Sequence, residues 1–444
     1  MESRERGITV LMLPWLGHGH ISPFLELGKR LARKGLSIYL CSTPANFISV
    51  KQTLVNNPSI KTIEMHLPDL PELPPQHHTT NGLPPNLLPT LKRAFDMAAP
   101  NFSDILRSLK PDLLMYDFIQ YWAPQVALSQ NVPAVFFITA GAATSCYLFY
   151  EQFNPNSPFP FPEIYVTDFE KSKREHSAKV NAHGMKLAER IISCARQSHE
   201  VVLIKSCNEI EGKYINYLSA LCQKTVLPVG SLVSETVYSE ENDHAKIFEW
   251  LDKKDKASTV FVSFGSECFL PKEEMEEMAS GLELSCVNFI WVARPPTGDK
   301  FLGGLLKELR ERVGAEKGMI LETWAPQLRI LSHSSIGGFV SHCGWGSVME
   351  AMTFGVPIIA IPMQYDQPLN ARVVQEAGVG EEVKRGRNGK LEMGEIAKVI
   401  RKTVVDKDGD EVRRKTKYLS DTISDKGDKD VDIVVKELYK LCNI

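Results

Sequence analysis

Residues 324–367 read WAPQLRILSHSSIGGFVSHCGWGSVMEAMTFGVPIIAIPMQYDQ, and their pattern decides the architecture of the half of the chain in which they lie. An apolar strand at 338–341 runs into the turn His342-Cys343-Gly344-Trp345-Gly346-Ser347 and then into a helix. A second apolar strand at 356–361 follows, and beyond it stands the acidic-amide pair Asp366 and Gln367. Strand, glycine turn, helix, strand is the repeating unit of a parallel α/β sheet. The first N–H groups of a helix opening near Trp345 lack intrahelical partners, and the macrodipole makes that end partly positive, so a pyrophosphate is well accommodated there. Gly344 and Gly346 let the backbone come close, His342 and Ser347 add side-chain donors, and Glu350, three residues past Ser347, can accept from a ribose diol. Trp324 offers a flat face for a base to stack on. Asp366 and Gln367 stand where a loop at a strand's carboxyl edge meets a polyhydroxylated group.

The same alternation continues on both sides of this stretch. At 444 residues the chain exceeds the size at which one hydrophobic core keeps growing, which predicts two α/β domains. The first is expected over 1–233, a polar linker over 234–244, the second over 245–425, and a terminal helix over 426–444. In the first, a strand at 8–14 leads through the turn 17–20 into a helix at 21–34, apolar at Ile21, Phe24, Leu25, Gly28, Leu31 and Ala32. Further strands are expected at 37–42, 113–116, 134–138 and 201–205. In the second, a strand at 259–263, a helix at 272–284 and a strand at 288–293 precede the decisive stretch. The last helix, 431–442, is amphipathic through Val431, Val434, Val435, Leu438 and Leu441. Prolines 68, 71, 74, 75, 84, 85 and 89 exclude helix and interior strand from 67–89, leaving a long loop; 154–162 has the same character, and both suit the walls of an acceptor pocket.

Composition narrows the function. With 43% apolar and 24% charged residues the chain is an ordinary globular protein, and a net charge of -3 offers no basic field for nucleic acid. The nine cysteines are scattered without a CxxC pair and read as reduced thiols of a cytoplasmic protein. The first apolar run, residues 8–16, is interrupted by Pro14 and too short for a membrane span or a cleaved leader. A monomer without stable membrane insertion is expected.

The stretch 324–367 resembles, over its full length, the signature box of plant family 1 glycosyltransferases, which transfer sugars from uridine diphosphate donors to small molecules. The resemblance implies a GT-B fold, two Rossmann-like domains facing across a cleft with the C-terminal helix returning to the first domain. It implies that Trp324 and Gln327 hold uracil, His342 and Ser347 the phosphates, Glu350 the ribose, and Asp366 and Gln367 the sugar hydroxyls, with Ala325 also in the donor site and Trp345 opening the helix. One position departs: Gly346 stands where the family usually carries Asn, so a side-chain contact must be replaced by backbone or water.

The turn Gly17-His18-Gly19-His20 places histidine at a strand's carboxyl end and a helix amino terminus, where the dipole disfavours imidazolium and leaves a neutral base at pH 7. His20 stands three residues before Pro23, as the family's catalytic base does in its Gly-His-x-x-Pro turn. Asp117, ending the strand 113–116, matches the family's base-orienting carboxylate. Gly265 and Ser266 match its Ser-Phe-Gly-Ser phosphate turn and Thr139 a sugar contact, while Arg294 could neutralise phosphate or sit at the surface. Together these parts imply an inverting displacement with His20 as general base. No divalent metal or other cofactor is demanded, the co-substrate being UDP-glucose. The pair Asp406 and Asp408 mimics a metal motif but lies in a charged surface bend, and its EF-hand reading fails at Glu411 and Lys417.

A nicotinamide oxidoreductase is the rival, because Gly17–Ser22 resembles a dinucleotide loop; Ser22 replaces its third glycine and no carboxylate follows the second strand. A non-catalytic sugar-nucleotide module would lack His20 or Asp117. The GHGHISPFLELGKRLA start, the SFGSECFLPKEE turn and Gly346 look most like the subgroup that adds sugar to a sugar already on a flavonoid or terpenoid. An aglycone-directed O-glucosyltransferase is the alternative. Gln367 is usual in the family for glucose donors.

Overall fold

The computed structural model describes residues 7–173, 185–234, 244–265, 270–293, 300–386, 389–426 and 428–443. Two compact units emerge, Met1–Pro160 with Lys173–Leu232 and Lys426–Ile444, and Phe161–Ser172 with Val233–Asp425.

The first unit is built on a seven-stranded parallel sheet: β1 (Thr9–Leu13), β2 (Ser37–Ser42), β3 (Ile60–Glu64), β4 (Leu113–Tyr116), β5 (Ala134–Ile138), β6 (Val201–Ile204) and β7 (Thr225–Pro228), in the order β3-β2-β1-β4-β5-β6-β7. Its central strands are almost continuously apolar because helices cover both faces. The helix His18–Arg33 buries Ile21, Phe24, Leu25, Leu27 and Leu31, and Phe24 packs on Phe137 with ring centroids 4.8 Å apart. Each such ring contributes about 1.5–3 kcal/mol of burial. The helix Lys429–Leu441 adds Val431, Val434, Leu438 and Leu441 to this same core. It is also tied to the first helix by the ion pairs Lys34–Asp432 (2.6 Å) and Arg30–Asp428 (3.5 Å).

The second unit carries a six-stranded parallel sheet: β8 (Thr259–Ser263), β9 (Asn288–Val292), β10 (Gly318–Leu321), β11 (Ile336–Ser341), β12 (Ile358–Ala360) and β13 (Gly380–Glu382), in the order β10-β9-β8-β11-β12-β13. In each sheet the strand order reverses once among the central strands, between β1 and β4 and between β8 and β11. The register pairs Leu13 with Tyr116 in the first sheet and Ser263 with Ser341 in the second. Adjacent parallel strands whose helices leave to opposite faces open a crevice at their carboxyl ends, where ligands of such sheets bind.

Three sequence expectations are corrected. The first helix begins at His18, three residues early, so His20 lies on its first turn and not in the preceding loop. Pro89 belongs to the helix Leu88–Met97, because proline is tolerated in a first turn; the remainder of 67–89 holds only the short 3-10 turns Pro75–His77 and Pro85–Leu87. The segment Phe161–Ser172, expected in the first domain, joins the second unit. Its anchor is Arg372, 4% exposed, which bonds Glu170 at 3.0 Å, pairs with Glu382 and lies 4.7 Å from the Tyr165 ring. A buried guanidinium needs such carboxylates, and Glu170 comes from this segment. Residues 235–243 of the expected linker, together with Ser266 and Arg294, lie outside the described residues.

Candidate active site

At the first crevice, β1 delivers the turn that opens the helix His18–Arg33 and β4 delivers Asp117. The Asp117 side chain is fully buried, and each of its oxygens has a partner. Oδ1 accepts the Phe118 N–H at 2.7 Å, and Oδ2 accepts the Trp15 N–H at 3.1 Å and faces His20 Nδ1 at 2.8 Å. His20 is 23% exposed while Asp117 is 0% exposed, so the imidazole is held from its buried edge. With Nδ1–H donated to an ionised carboxylate, Nε2 is left as the basic nitrogen. Thr139, just past β5, places its hydroxyl 3.0 Å from the same Nδ1. The helix that follows, Ala142–Phe153, is fixed by the buried Glu211, whose oxygens accept the N–H groups of Ala142 and Ala143 at 2.8 Å each.

The proline-rich loop docks on this turn. Thr80 N–H donates to the Leu16 carbonyl at 2.9 Å, and Asn81 N–H to Thr79 Oγ1 at 3.1 Å. A Cβ at Gly17 would lie 3.1 Å from Thr80 Oγ1 and 3.5 Å from His20 Cδ2, so hydroxyl and imidazole flank the same glycine. Sequence reading had no means of naming Thr79 and Thr80, which dock at Leu16 and Gly17 from more than 60 residues further along the chain.

At the second crevice, β11 ends at Ser341 and the chain turns through Cys343, φ +63°, into the helix Trp345–Phe354. The first intrahelical bond runs from Val348 N–H to the Gly344 carbonyl, so the N–H groups of Trp345, Gly346 and Ser347 precede it. The Trp345 indole is 3% exposed, and what this residue presents at the turn is backbone. His342 is wedged between two glycines: a Cβ at Gly265, φ +75°, or at Gly344 would come within 2.9 Å or 2.6 Å of its ring. Burial lowers the His342 pKa to about 4, partly offset by a hydrogen bond to the Ser263 backbone, so the ring is neutral at physiological pH; its Nδ1 has no hydrogen-bond partner among the described residues.

Gln327, Ser347 and Glu350 converge. The Gln327 amide donates to Glu350 Oε2 at 2.6 Å and to Ser347 Oγ at 3.2 Å, joining the residues expected at base, phosphate and ribose. Trp324 is 65% exposed with its ring centroid 5.7 Å from that of His244, an accessible indole, while Ala325 beside it is buried. Gln367 is buried, and its Oε1 accepts the N–H groups of Met363 and Gln364 at 2.9 Å each, which holds the loop before it. Asp366 stands at the N-cap position of the same helix without a side-chain capping bond, and its carboxylate accepts from Asn370, a residue that sequence reading passed over although it lies one turn further along. Among the described residues no cluster of His, Cys, Asp or Glu could hold a metal ion, and no helix is long and apolar enough to cross a membrane. Asp408 falls in the 3-10 turn Lys407–Gly409, which Asp406 caps.

Two family models match, "Glycosyltransferase, N-terminal domain" over residues 6–232 and "UDP-glucoronosyl and UDP-glucosyl transferase" over residues 188–408. The chain is 48% identical to UDP-glucosyltransferase 29 of Panax ginseng, over 100% of this chain and 98% of that protein. It is 47% identical to the beta-D-glucosyl crocetin beta-1,6-glucosyltransferase of Gardenia jasminoides, over 97% and 98%. A solved UDP-glucosyltransferase from Polygonum tinctorium superimposes with a TM-score of 0.81 at 26% identity, covering 100% of both chains. A histidine-carboxylate pair at one switch point, a glycine turn opening a helix at the other and likeness over the whole length agree: this chain belongs to the plant family 1 UDP-glycosyltransferases and is an enzyme of inverting sugar transfer.

Proposed function

We propose that this enzyme moves glucose from UDP-glucose onto a hydroxyl of a sugar already carried by a terpenoid or flavonoid. The observation that carries the acceptor side is the docking of the proline-rich loop on the turn that bears His20, with Thr80 N–H on the Leu16 carbonyl and Thr80 Oγ1 against Gly17. A glycoside is recognised through its hydroxyls, and a site built to hydrogen-bond them discriminates against ligands that lack them. The Gardenia jasminoides relative, by its name, also glucosylates a glucoside.

In this reading the first unit (Met1–Pro160, Lys173–Leu232 and Lys426–Ile444) binds the acceptor and the second (Phe161–Ser172 and Val233–Asp425) the donor. His20 takes the acceptor proton at Nε2, and Asp117 holds Nδ1 and stabilises the imidazolium as it forms. The acceptor oxygen attacks the anomeric carbon, the bond from that carbon to the diphosphate oxygen breaks on the opposite face, and the configuration inverts. Charge on the leaving UDP is received by the N–H groups at Trp345, Gly346 and Ser347 and by His342, with Gly265 and Ser266 at the distal phosphate. Trp324 and Gln327 hold uracil, with Ala325 beside them in the donor site, and Glu350 holds the ribose, while Asp366, Gln367 and Thr139 hold the sugar. The enzyme acts in the cytoplasm, in keeping with the described cysteines, all free thiols.

The test incubates the enzyme with labelled UDP-glucose and paired glycosides and aglycones, and compares product masses. Conversion of glycosides is expected to exceed that of their aglycones by about tenfold or more; activity confined to aglycones would reject the acceptor class. A second expectation concerns the phosphate turn. Gly265→Ala forces a Cβ onto His342 at a positive φ, so the Kd for UDP, measured by calorimetry, should rise about tenfold. An unchanged Kd would remove this turn from the donor site.

A further inference from the structure

Asn370 is 1% exposed, and its amide nitrogen donates to two loops at once, to the Cys343 carbonyl at 2.9 Å and to Asp366 Oδ2 at 2.8 Å. The first acceptor lies in the turn after β11, where Cys343 adopts a left-handed conformation and its own N–H is taken by Ser341 Oγ at 3.1 Å. The turn is thus gripped on both sides, by Ser341 from the strand and by Asn370 from the helix Gln367–Glu376. The second acceptor is the half-buried carboxylate at the head of that helix.

We propose that Asn370 is a positioning residue for sugar transfer, a neutral two-donor amide that locks the Asp366 carboxylate to the backbone of the His342–Gly344 turn. The inference rests on the assignment of Asp366 to the sugar hydroxyls. A carboxylate that must accept from those hydroxyls in the transition state is useful only if its orientation relative to the diphosphate is set beforehand. The residue type follows from the two acceptors. Both require N–H groups, which Asn supplies from one nitrogen; Ser has a single proton, Leu none, and Asp would set a second carboxylate against the first.

The test measures kcat and KM for UDP-glucose, with the Kd of UDP, in wild type, Asn370→Ala, Asp366→Ala, the double variant and Asn370→Asp. Loss of a charge-assisted hydrogen bond should lower kcat/KM of Asn370→Ala about tenfold to fiftyfold. The Kd of UDP should stay within about threefold, since Ser341 still holds the turn through the Cys343 N–H, and the double variant should match Asp366→Ala within about twofold, since no sugar carboxylate remains to be positioned. Asn370→Asp should be more impaired than Asn370→Ala at pH 8 and gain relative to it toward pH 5.5, because two adjacent carboxylates share a proton as pH falls and the shared proton restores a donor. A merely structural role predicts no such pH ratio. If Asn370→Ala fails to fold, kcat/KM of Asn370→Asp at pH 5.5 over that at pH 8, divided by the same ratio in wild type, decides the matter: a value above one is expected, and a value of one overturns the proposal. Normal turnover of Asn370→Ala beside a crippled Asp366→Ala, additive losses, or UDP affinity falling in step with kcat/KM would each overturn the proposal alone. Normal turnover of Asp366→Ala would overturn the sugar-site reading and the proposal with it.

Discussion

Alanine in place of His20 is expected to lower kcat by about a thousandfold, the contribution typical of a positioned general base. An acceptor hydroxyl with a pKa far above 7 is a poor nucleophile until its proton is drawn away, and His20 is the imidazole whose Nδ1 is already committed to Asp117 at 2.8 Å. UDP affinity should change by less than about twofold, because His20 lies in the first unit while Trp324, His342 and Glu350 lie in the second. Single-turnover rates with UDP-glucose, set beside calorimetric UDP binding, separate the two quantities. Turnover within about threefold of wild type would strip His20 of its role and with it the mechanism given above.

Asp117→Asn is expected to cost about a hundredfold in kcat while keeping the shape of the site. The carboxylate accepts from Trp15 N–H, Phe118 N–H and His20 together, at 3.1, 2.7 and 2.8 Å. An amide has one oxygen, so whichever way it is placed an N–H group faces a donor, and the charge that stabilises the imidazolium is lost. If the amide nitrogen faces His20, the ring must carry its proton on Nε2 and is no longer a base there. Asp117→Ala is the less informative change, because it strands two buried backbone donors at about 1–3 kcal/mol each and confounds catalysis with stability. The readout is kcat together with the melting temperature. A variant that melts near wild type yet turns over normally would show that Asp117 only caps the loop.

The strand-turn-helix unit of the second half was readable without coordinates for a local reason. In residues 324–367 the strand, the glycine turn and the helix follow one another directly, and backbone conformation within such a unit is set by near neighbours. The turn gains its N–H array from where the helix starts, and the start is marked by glycines 344 and 346. The same locality placed His20 beside a helix terminus, and the end of β4 marked Asp117 as a strand-end carboxylate.

Partners remote along the chain were a different matter. Nothing in the residue pattern joins Gln327 to Glu350, or Asn370 to Cys343, since these bonds cross 23 and 27 positions and form only after β11 and its neighbours are packed. The docking of Thr80 on Leu16 and the capture of Glu170 by Arg372 have the same origin. The amino-acid order alone therefore specified most of the elements and the family. Packing into sheets supplied the order β3-β2-β1-β4-β5-β6-β7 and β10-β9-β8-β11-β12-β13, which sets the ends of β1 and β4 side by side and those of β8 and β11 likewise. Which strands become neighbours depends on how whole apolar faces are buried together, and no window of contiguous residues contains that information.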